Sequence, residues 1–229
     1  MRALLLNASV FALVCQAQSP PDIDAIMKKV TGTYEAGSAT YEFEIKFTRV
    51  ESGKGAAGRL HFSFKQPNLY RVEGSIPGLS GSDALKELVI VADGTDIWSY
   101  DKVKNEYFSL PAASVQDDDD FDDFSPESMD TFMAKRFRSA TYLAPVSKFL
   151  REETLEFNGA KINCYLISVN GRTWWIDSKS YRVVREDWEE GTNIVAYYET
   201  IKLGEPIADK VFKFVPPQGA KKVDPYTAQ

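Results

Sequence analysis

Residues from Gly58 to Leu110 alternate between apolar and polar side chains in several short runs. In the first run, Leu60, Phe62 and Phe64 are separated by polar residues, so one face is apolar and the other is wet, as a strand with a period of two requires. The dipeptide Asp93-Gly94 allows two strands to fold back on each other, because glycine adopts the positive φ of a tight turn. These residues predict an antiparallel meander, and the rest of the chain is expected to extend this sheet or to cover it.

The same alternation recurs on both sides of the meander. Residues Thr40 to Val50 form the clearest predicted strand, and Asn-Gly dipeptides at 158–159 and 170–171 predict two further hairpins. The other strands predicted after the meander are Leu155–Phe157, Ile162–Val169, Arg172–Ile176, Tyr181–Trp188, Asn193–Leu203 and Val211–Val215. Loops rich in glycine are predicted at Glu51–Gly58 and Gly74–Asp83. The sequence therefore predicts a mainly β fold of about eleven strands with short connections.

Two regions have the periodicity of helices instead. Asp22 is a suitable N-cap for a helix that extends to Tyr34. A second helical region begins at Ser125-Pro126, where proline suits the first helical position, and a short helix is predicted from Thr141 to Leu150. The apolar edge of the second region consists of Met129, Phe132, Met133 and Phe137. Residues 126–150 could form a lid over a soft ligand, because methionine is adaptable, but the pattern alone favours a helix pair that covers a core.

The first residues resemble a secretory signal peptide. Arg2 is followed by an apolar run from Ala3 to Val14, and we expect cleavage after Ala17, so that residues 18–229 form a single domain. A lipid-modified Cys15 is an alternative, although Val14 is bulky for a lipoprotein signal. Without Arg2, 26 basic residues face 33 acidic ones, a net charge of 26 − 33 = −7, which disfavours nucleic acid as a partner.

Residue types that carry chemistry are scarce. His61 is the single histidine and lies on the polar side of a strand, and the chain has no Gly-x-Ser-x-Gly motif and no ligand spacing for a metal. Cys164 is expected to be a small buried hydrophobe. Residues 117–123, an acidic run broken by one phenylalanine, are expected to form a solvated loop. The sequence therefore predicts neither an enzyme nor a cofactor or metal site.

Aromatic residues make up 13% of the chain, and most lie on predicted strands. We expect one face of the sheet to carry Phe43, Phe47, Phe62, Phe64, Tyr70, Trp98, Tyr100, Trp174 and Tyr198. That face is wider than one helix can cover, and a curved sheet lined in this way can hold an acyl chain. A dry core built from the same residues is the alternative.

Three motifs resemble the periplasmic lipoprotein-carrier family, LolA and its relatives. They are Lys65-Gln66-Pro67-Asn68-Leu69-Tyr70-Arg71, the stretch Leu88–Gly94 with Ile97-Trp98-Ser99-Tyr100, and Phe212-Lys213-Phe214-Val215-Pro216-Pro217-Gln218-Gly219. The resemblance implies an unclosed antiparallel β-barrel with helices over its concave face. It also implies that the protein is a periplasmic, monomeric carrier that shields the acyl chains of a lipoprotein or lipid on the way to the outer membrane, between an inner-membrane donor and an outer-membrane acceptor.

The resemblance implies a ligand cavity, with a lid at residues 126–150. We expect its lining to be Phe43, Ile45, Phe47, Leu60, Phe62, Phe64, Tyr70, Val72, Trp98, Tyr100, Met129, Phe132, Met133, Phe137, Trp174, Ile176 and Tyr198. The family has an arginine directly before Pro-Asn-Leu that is implicated in holding the lid, whereas this chain has Gln66, so Gln66 and Arg71 are the candidates for that role.

A second hypothesis keeps the fold but changes the function. In this hypothesis the chain is an envelope sensor or docking module, in which the sheet or the acidic run binds a protein partner without transporting cargo. A pocket beneath the lid would favour the carrier, whereas a filled core with an exposed flat patch would favour the docking module.

Overall fold

The computed structural model describes residues 21–49, 55–77, 85–112, 137–189 and 192–224. Helix α1 comprises Ile23–Tyr34, and the Asp22 side chain caps it by accepting hydrogen bonds from the backbone N–H groups of Asp24 and Ala25. The predicted first helix and its N-cap are confirmed. The signal peptide, Cys15 and residues 117–123 lie outside the described residues.

Among the described residues, eleven strands of six or more residues follow the helix and belong to one sheet. Their bounds are β1 Ser38–Arg49, β2 Gly55–Lys65, β3 Leu69–Pro77, β4 Leu85–Ala92, β5 Asp96–Asp101, β6 Glu106–Pro111, β7 Ser147–Phe157, β8 Ala160–Val169, β9 Arg172–Asp177, β10 Val183–Glu189 and β11 Thr192–Leu203. Both Asn-Gly turns are confirmed, because the two residues of each turn have positive φ angles of 45–76°. A two-residue strand, β12 Lys221–Lys222, pairs in parallel with β6.

The strands are ordered β12-β6-β5-β4-β3-β2-β1-β11-β10-β9-β8-β7. Every pairing except that of β12 is antiparallel. Because β7 and β12 are not paired with each other, the sheet has two ends and does not close into a barrel. The predicted unclosed antiparallel fold of about eleven strands is confirmed.

Two predicted loops are shorter than expected. Strand β2 begins at Gly55, and β3 continues through Gly74 to Pro77. Gly74 has φ +138°, and a Cβ atom at this position would lie 2.1 Å from the carbonyl oxygen of Arg59. This close approach between two strands requires glycine, so the glycine that signalled a loop in the sequence is part of the ladder.

The predicted helix from Thr141 to Leu150 is wrong in its second half. Helix α2 is limited to Ala140–Leu143 and is followed by a 3-10 turn, Ala144–Val146. Strand β7 then begins at Ser147, and Phe149 pairs with Ile167 of β8. Pairing along β8 satisfies backbone groups that a longer helix would satisfy internally, so the tertiary contact overrides the local helical spacing.

The predicted last strand, Val211–Val215, is also wrong. Residues Asp209–Phe212 form a 3-10 turn, and Phe212 is buried. Phe214 stacks on Trp98 with ring centroids 5.5 Å apart. Phe214 therefore covers a face of the sheet and does not pair along an edge.

The sheet has two distinct faces. The inner face is the one that α1 covers, and it carries the main hydrophobic cluster, which draws residues from β1 to β5 and from β8 to β11. The outer face is the opposite one, and it carries a smaller cluster of Leu155, Cys164, Leu166, Trp175 and Val184. Since side chains alternate along a strand, neighbouring residues are assigned to opposite faces.

Candidate functional site: the inner face of the sheet

Most of the predicted cavity residues that the structure describes lie together on the inner face. Those in the main cluster are Ile45, Leu60, Phe62, Phe64, Tyr70, Val72, Phe137, Trp174, Ile176 and Tyr198, all at most 3% exposed. Helix α1 adds Ile26, Met27, Val30 and Tyr34 from above. Burial raises the pKa of the Tyr34 phenol well above its usual range.

Phe137 is at the centre of these aromatic contacts. Its ring centroid lies 4.9 Å from that of Tyr34, 5.2 Å from that of Trp174 and 5.6 Å from that of Tyr198. The rings of Trp174 and Tyr198 meet it edge to face, an arrangement that aromatic pairs favour. Phe137 therefore fills the space that the cavity hypothesis assigns to a ligand.

Polar groups are buried among these apolar side chains. Glu186 is fully buried, and the Tyr198 hydroxyl donates a hydrogen bond to its Oε2 at 3.1 Å. Glu186 lies opposite Trp174 in the pairing of β10 with β9. Arg172, two residues before Trp174 on the same face, is 7% exposed. A surface that only stored hydrocarbon would not need these groups, because burying polar atoms costs free energy.

Sequence reasoning missed Glu186 because of a β-bulge. The register of β10 against β9 shifts between Val183 and Arg185, so the alternation restarts one residue later. With strict alternation from the buried Val183, Glu186 would lie on the outer face. A one-residue insertion reverses the faces of all later side chains, and the sequence gives no signal for it.

Trp98 and Tyr100 do not share the inner face, contrary to the prediction. Trp98 pairs with Val91 and Tyr100 pairs with Val89, whereas the inner-face residue Ile97 lies between Asp96 and Trp98. The Trp98, Tyr100 and Tyr107 rings all contact Phe214, at centroid distances of 5.5–6.0 Å. They form an outer-face cluster that the C-terminal segment covers.

The two candidates for lid gating also have different positions from those expected. Arg71 alternates with Tyr70 and Val72 and so lies on the outer face, where its Nη2 atom is 2.7 Å from Glu73 Oε2. Its role in lid gating stays a prediction. Gln66 is exposed, and its backbone N–H donates to the Gly37 carbonyl at 2.8 Å. Its role in gating stays a prediction.

Arg138, which precedes the short helix α2, contacts the inner face of the sheet. Its guanidinium carbon lies 4.3 Å from the centre of the Phe64 ring on the inner face, which is within the range of a cation–π interaction. This arginine is on the covering segment and contacts the sheet, whereas the sequence search looked for an arginine on the sheet. The sequence signal for this contact was the position of Arg138 directly after Phe137, an apolar residue of the predicted lid.

His61 has two polar neighbours on the outer face. Its Nε2 atom is 3.3 Å from Ser63 Oγ, and its Nδ1 atom is 3.7 Å from Glu42 Oε1. The order of these groups is similar to a Ser-His-acid arrangement, but Ser63 is only 3% exposed. A nucleophile must be presented to its substrate, and this hydroxyl is not.

An open groove of about 480 Å³ lies beside the inner face at the start of α1. It is lined by Pro21, Asp22, Ile23, Asp24, Ala144, Lys148 and Phe149. Ile23 and Phe149 also pack against the main cluster, so the groove is continuous with the apolar inner face. Its rim carries charges of both signs.

Burial and the nearby carboxylates of Asp177 and Glu153 raise the pKa of the Cys164 thiol to about 11, which fits the expected inert side chain. In the ranges that the structure describes, no helix is long and apolar enough to cross a membrane, and no group of three or more His, Cys, Asp and Glu residues is arranged to hold a metal ion.

Several predicted cavity residues, or their side chains, lie outside the described part of the chain. Met129, Phe132 and Met133 lie outside the described residues, as does the start of the predicted lid at Ser125-Pro126. The backbones of Phe43 and Phe47 pair within β1, opposite Leu60 and Ala56 of β2, but their side chains lie outside the described part. Their proposed contact with a ligand stays a prediction.

No protein-family model matches the chain. Over 223 residues, 96% of the chain, it is 26% identical to the uncharacterized protein MJ0687 of Methanocaldococcus jannaschii. The chain spans 58% of the length of this relative.

Solved structures with a similar shape include two bacterial proteins. An uncharacterized conserved protein from Thermus thermophilus is 16% identical, with a TM-score of 0.51 and coverage of 87% of this chain and 96% of that one. The LolA superfamily protein NE2245 from Nitrosomonas europaea is 13% identical, with a TM-score of 0.42 and coverage of 84% and 97%. The similarity to the Thermus thermophilus protein is one of fold, and the unclosed antiparallel sheet is the architecture expected of a LolA-like chain.

Proposed function

We propose that this protein is a periplasmic carrier that binds the acyl chains of a lipoprotein or lipid on the inner face of the sheet and shields them during transfer to the outer membrane. The observation that carries this proposal is the extent of the inner face. Its apolar cluster draws on nine strands, whereas a helix about 10 Å wide covers about two strands at a spacing of about 4.8 Å. A surface of this width suits acyl chains, since each exposed CH₂ costs about 0.8 kcal/mol in water.

The contacts of Phe137 indicate how such a surface is kept out of water in the absence of cargo. Phe137 packs against Tyr34, Trp174 and Tyr198, and Arg138 holds the next position of the chain against Phe64. In the proposed cycle, this segment withdraws and acyl chains replace the Phe137 ring. The groove shares Ile23 and Phe149 with the edge of this cluster, and in the proposed cycle an acyl chain enters there.

Native mass spectrometry of the mildly purified chain, combined with lipid extraction, tests the proposal. We expect a stoichiometric acyl-bearing adduct. Ala196, which is fully buried and lies between Ile45 and Glu186 on the inner face, offers a blocking variant, because Ala196→Leu adds volume where the ligand would lie. The matched control is Val195→Leu on the outer face. A clean mass that also fails to take up a fluorescent fatty acid would overturn the carrier proposal.

A second candidate function is docking of a protein partner. Two observations favour it: the Phe137 ring fills the space expected for a cavity, and three apolar side chains are exposed within nine residues of chain. Tyr142 is 85% exposed, Val146 is 64% exposed and Leu150 is 41% exposed. Exposed apolar groups on one segment are typical of interaction surfaces. If the chain binds no acyl ligand, capture of an envelope protein that is lost in Tyr142→Ser with Val146→Ser would support docking.

A further inference from the structure

Trp174 differs from the other tryptophans with described side chains in the hydrogen bonding of its indole N–H group. It is fully buried on the inner face, and its indole Nε1 has no hydrogen-bond acceptor within reach in the structure as described. By contrast, Trp98 Nε1 donates to Asp93 Oδ2 at 3.1 Å, and Trp175 Nε1 donates to Asp187 Oδ2 at 2.8 Å. Buried indole N–H groups normally have a partner, so the Trp174 N–H group is a donor available to a ligand.

The surroundings of Trp174 limit the chemistry of that ligand. Glu186 lies directly opposite on β10 and is fully buried. An anionic acceptor at the Trp174 N–H group would come close to the Glu186 side chain, and two carboxylates that share a site disfavour each other. A neutral carbonyl oxygen accepts the same hydrogen bond without that penalty. Arg172, two residues before Trp174 on the same strand, carries a positive charge that would attract an anion. The binding of an anionic ligand therefore has to be compared directly with that of a neutral one.

We propose that the Trp174 N–H group binds the carbonyl oxygen of an ester-linked acyl chain, which makes the inner face selective for neutral acylglycerol-type groups over free fatty acids. This inference rests on the proposed carrier function and names the class of cargo. Phe137 meets Trp174 edge to face at 5.2 Å, and in this proposal the carbonyl group takes a place beside the indole once the Phe137 ring has withdrawn. The acyl chain then lies along the apolar residues on either side of Trp174 in the cluster, such as Ile167 and Ile176.

Three ligands of equal chain length separate the alternatives. They are a diacylglycerol, the corresponding dialkyl glycerol ether, which lacks both carbonyl groups, and the free fatty acid. With the full purified chain, we expect the ester to bind about five- to tenfold more tightly than the ether, the effect of one hydrogen bond. We also expect the fatty acid to bind more weakly than the ester.

Two variants assign the preference to one side chain. Trp174→Phe keeps an aromatic ring and removes the N–H group, so we expect the ester to bind no better than the ether. Trp175→Phe is the matched control, because it makes the same change at the next residue on the outer face, and it is expected to keep the preference. Thermal unfolding of both variants establishes that they fold.

The outcomes separate this inference from the proposed function. Binding of none of the three ligands would overturn the carrier proposal itself. Equal binding of ester and ether by the wild-type chain would overturn only the carbonyl inference, and this result does not depend on any variant. Tighter binding of the fatty acid would assign the site to an anionic headgroup, and a preference that survives in Trp174→Phe would also contradict the inference.

Discussion

Trp174 and Trp175 are neighbours in β9 but have opposite environments. Trp175 lies on the outer face, where its N–H group is bonded to Asp187 and the Arg185 guanidinium carbon lies 4.5 Å from its ring. Trp174 lies on the inner face among aromatic rings, and the structure as described provides no acceptor for its N–H group. The outer-face residues Trp98 and Trp175 each have an acceptor for the indole N–H group, whereas Trp174 on the inner face has none in the structure as described.

The same difference extends along the sheet. The outer-face aromatics near β5 are covered by Phe214 of the chain itself, and Trp98 is bonded to Asp93. The inner face combines the largest buried apolar surface of the described residues with the buried Glu186 and Arg172. A face that only stabilises the fold needs satisfied partners, whereas a face that binds a ligand keeps donors for it. The comparison assigns stability to the outer face and binding to the inner one.

The largest effect is expected from truncating an aromatic ring on each face. Phe62 is fully buried on the inner face, and Phe62→Ala is expected to lower the free energy of unfolding by about 3–5 kcal/mol. Phe214 is only partly buried on the outer face, so Phe214→Ala should cost about 1–2 kcal/mol. Urea denaturation measures both losses. Equal losses would contradict the distinction between the fully buried inner-face cluster and the partly buried outer-face cluster.

A bound ligand should reduce the loss of stability caused by truncating Phe137. Phe137→Ala is expected to cost about 3 kcal/mol without ligand, because it leaves a cavity among Tyr34, Trp174 and Tyr198. An acyl ester that fills this cavity should restore much of the stability, since a ligand bound only to the folded state raises it. The measurement is thermal unfolding with and without the ester. Phe214→Ala is the control, and a ligand that stabilised both variants equally would contradict the assignment.

A smaller difference in the free energy of unfolding is expected between Trp174→Phe and Trp175→Phe. Trp175→Phe removes a satisfied hydrogen bond, whereas Trp174→Phe removes an N–H group that has no acceptor in the described part of the chain. The loss of ring volume is the same in both. We therefore expect Trp175→Phe to be about 1–2 kcal/mol more destabilising in urea unfolding. If Trp174→Phe were the more destabilising change, its N–H group would have a partner in the folded protein.

The smallest expected effect on stability concerns the ion pair between Arg71 and Glu73 on the outer face. Burial opposes ionisation of Glu73, but the hydrogen bond and charge of Arg71 lower the pKa of its carboxyl group below the ordinary value. A lowered pKa stabilises the fold above the unfolded pKa of about 4.3 and loses this contribution as the pH falls through the folded pKa. For a partly exposed pair the effect is about 0.2–1 kcal/mol. Glu73→Gln should flatten the fall in stability below pH 4 in acid titrations, and an unchanged titration would show that the pair contributes nothing.

The sequence predicts much of this architecture but not the composition of the site. The cap at Asp22, both Asn-Gly turns and the apolar side of β2 are encoded locally, and all were found as expected. The face of Trp98 depends on how β5 is paired with β4, and neither the number of aromatics nor their spacing reveals it.

Non-local contacts explain the remaining errors. Glu186 reaches the inner face through a bulge that is fixed by pairing with β9. Residues 211–215 have the alternation of a strand, but Phe212 is buried in a 3-10 turn and Phe214 packs on Trp98 of the outer face. Such choices are made by tertiary packing, which a local pattern does not contain.

Photo-crosslinking with a diacylglycerol that carries a diazirine in its acyl chain tests the central claim most directly. After irradiation and peptide mapping, we expect saturable crosslinks at inner-face residues such as Phe62, Trp174 and Tyr198, and competition by unlabelled ester. Crosslinks confined to Trp98, Trp175 or the exposed Tyr142–Leu150 segment, or crosslinks that do not saturate, would contradict the assignment of ligand binding to the inner face.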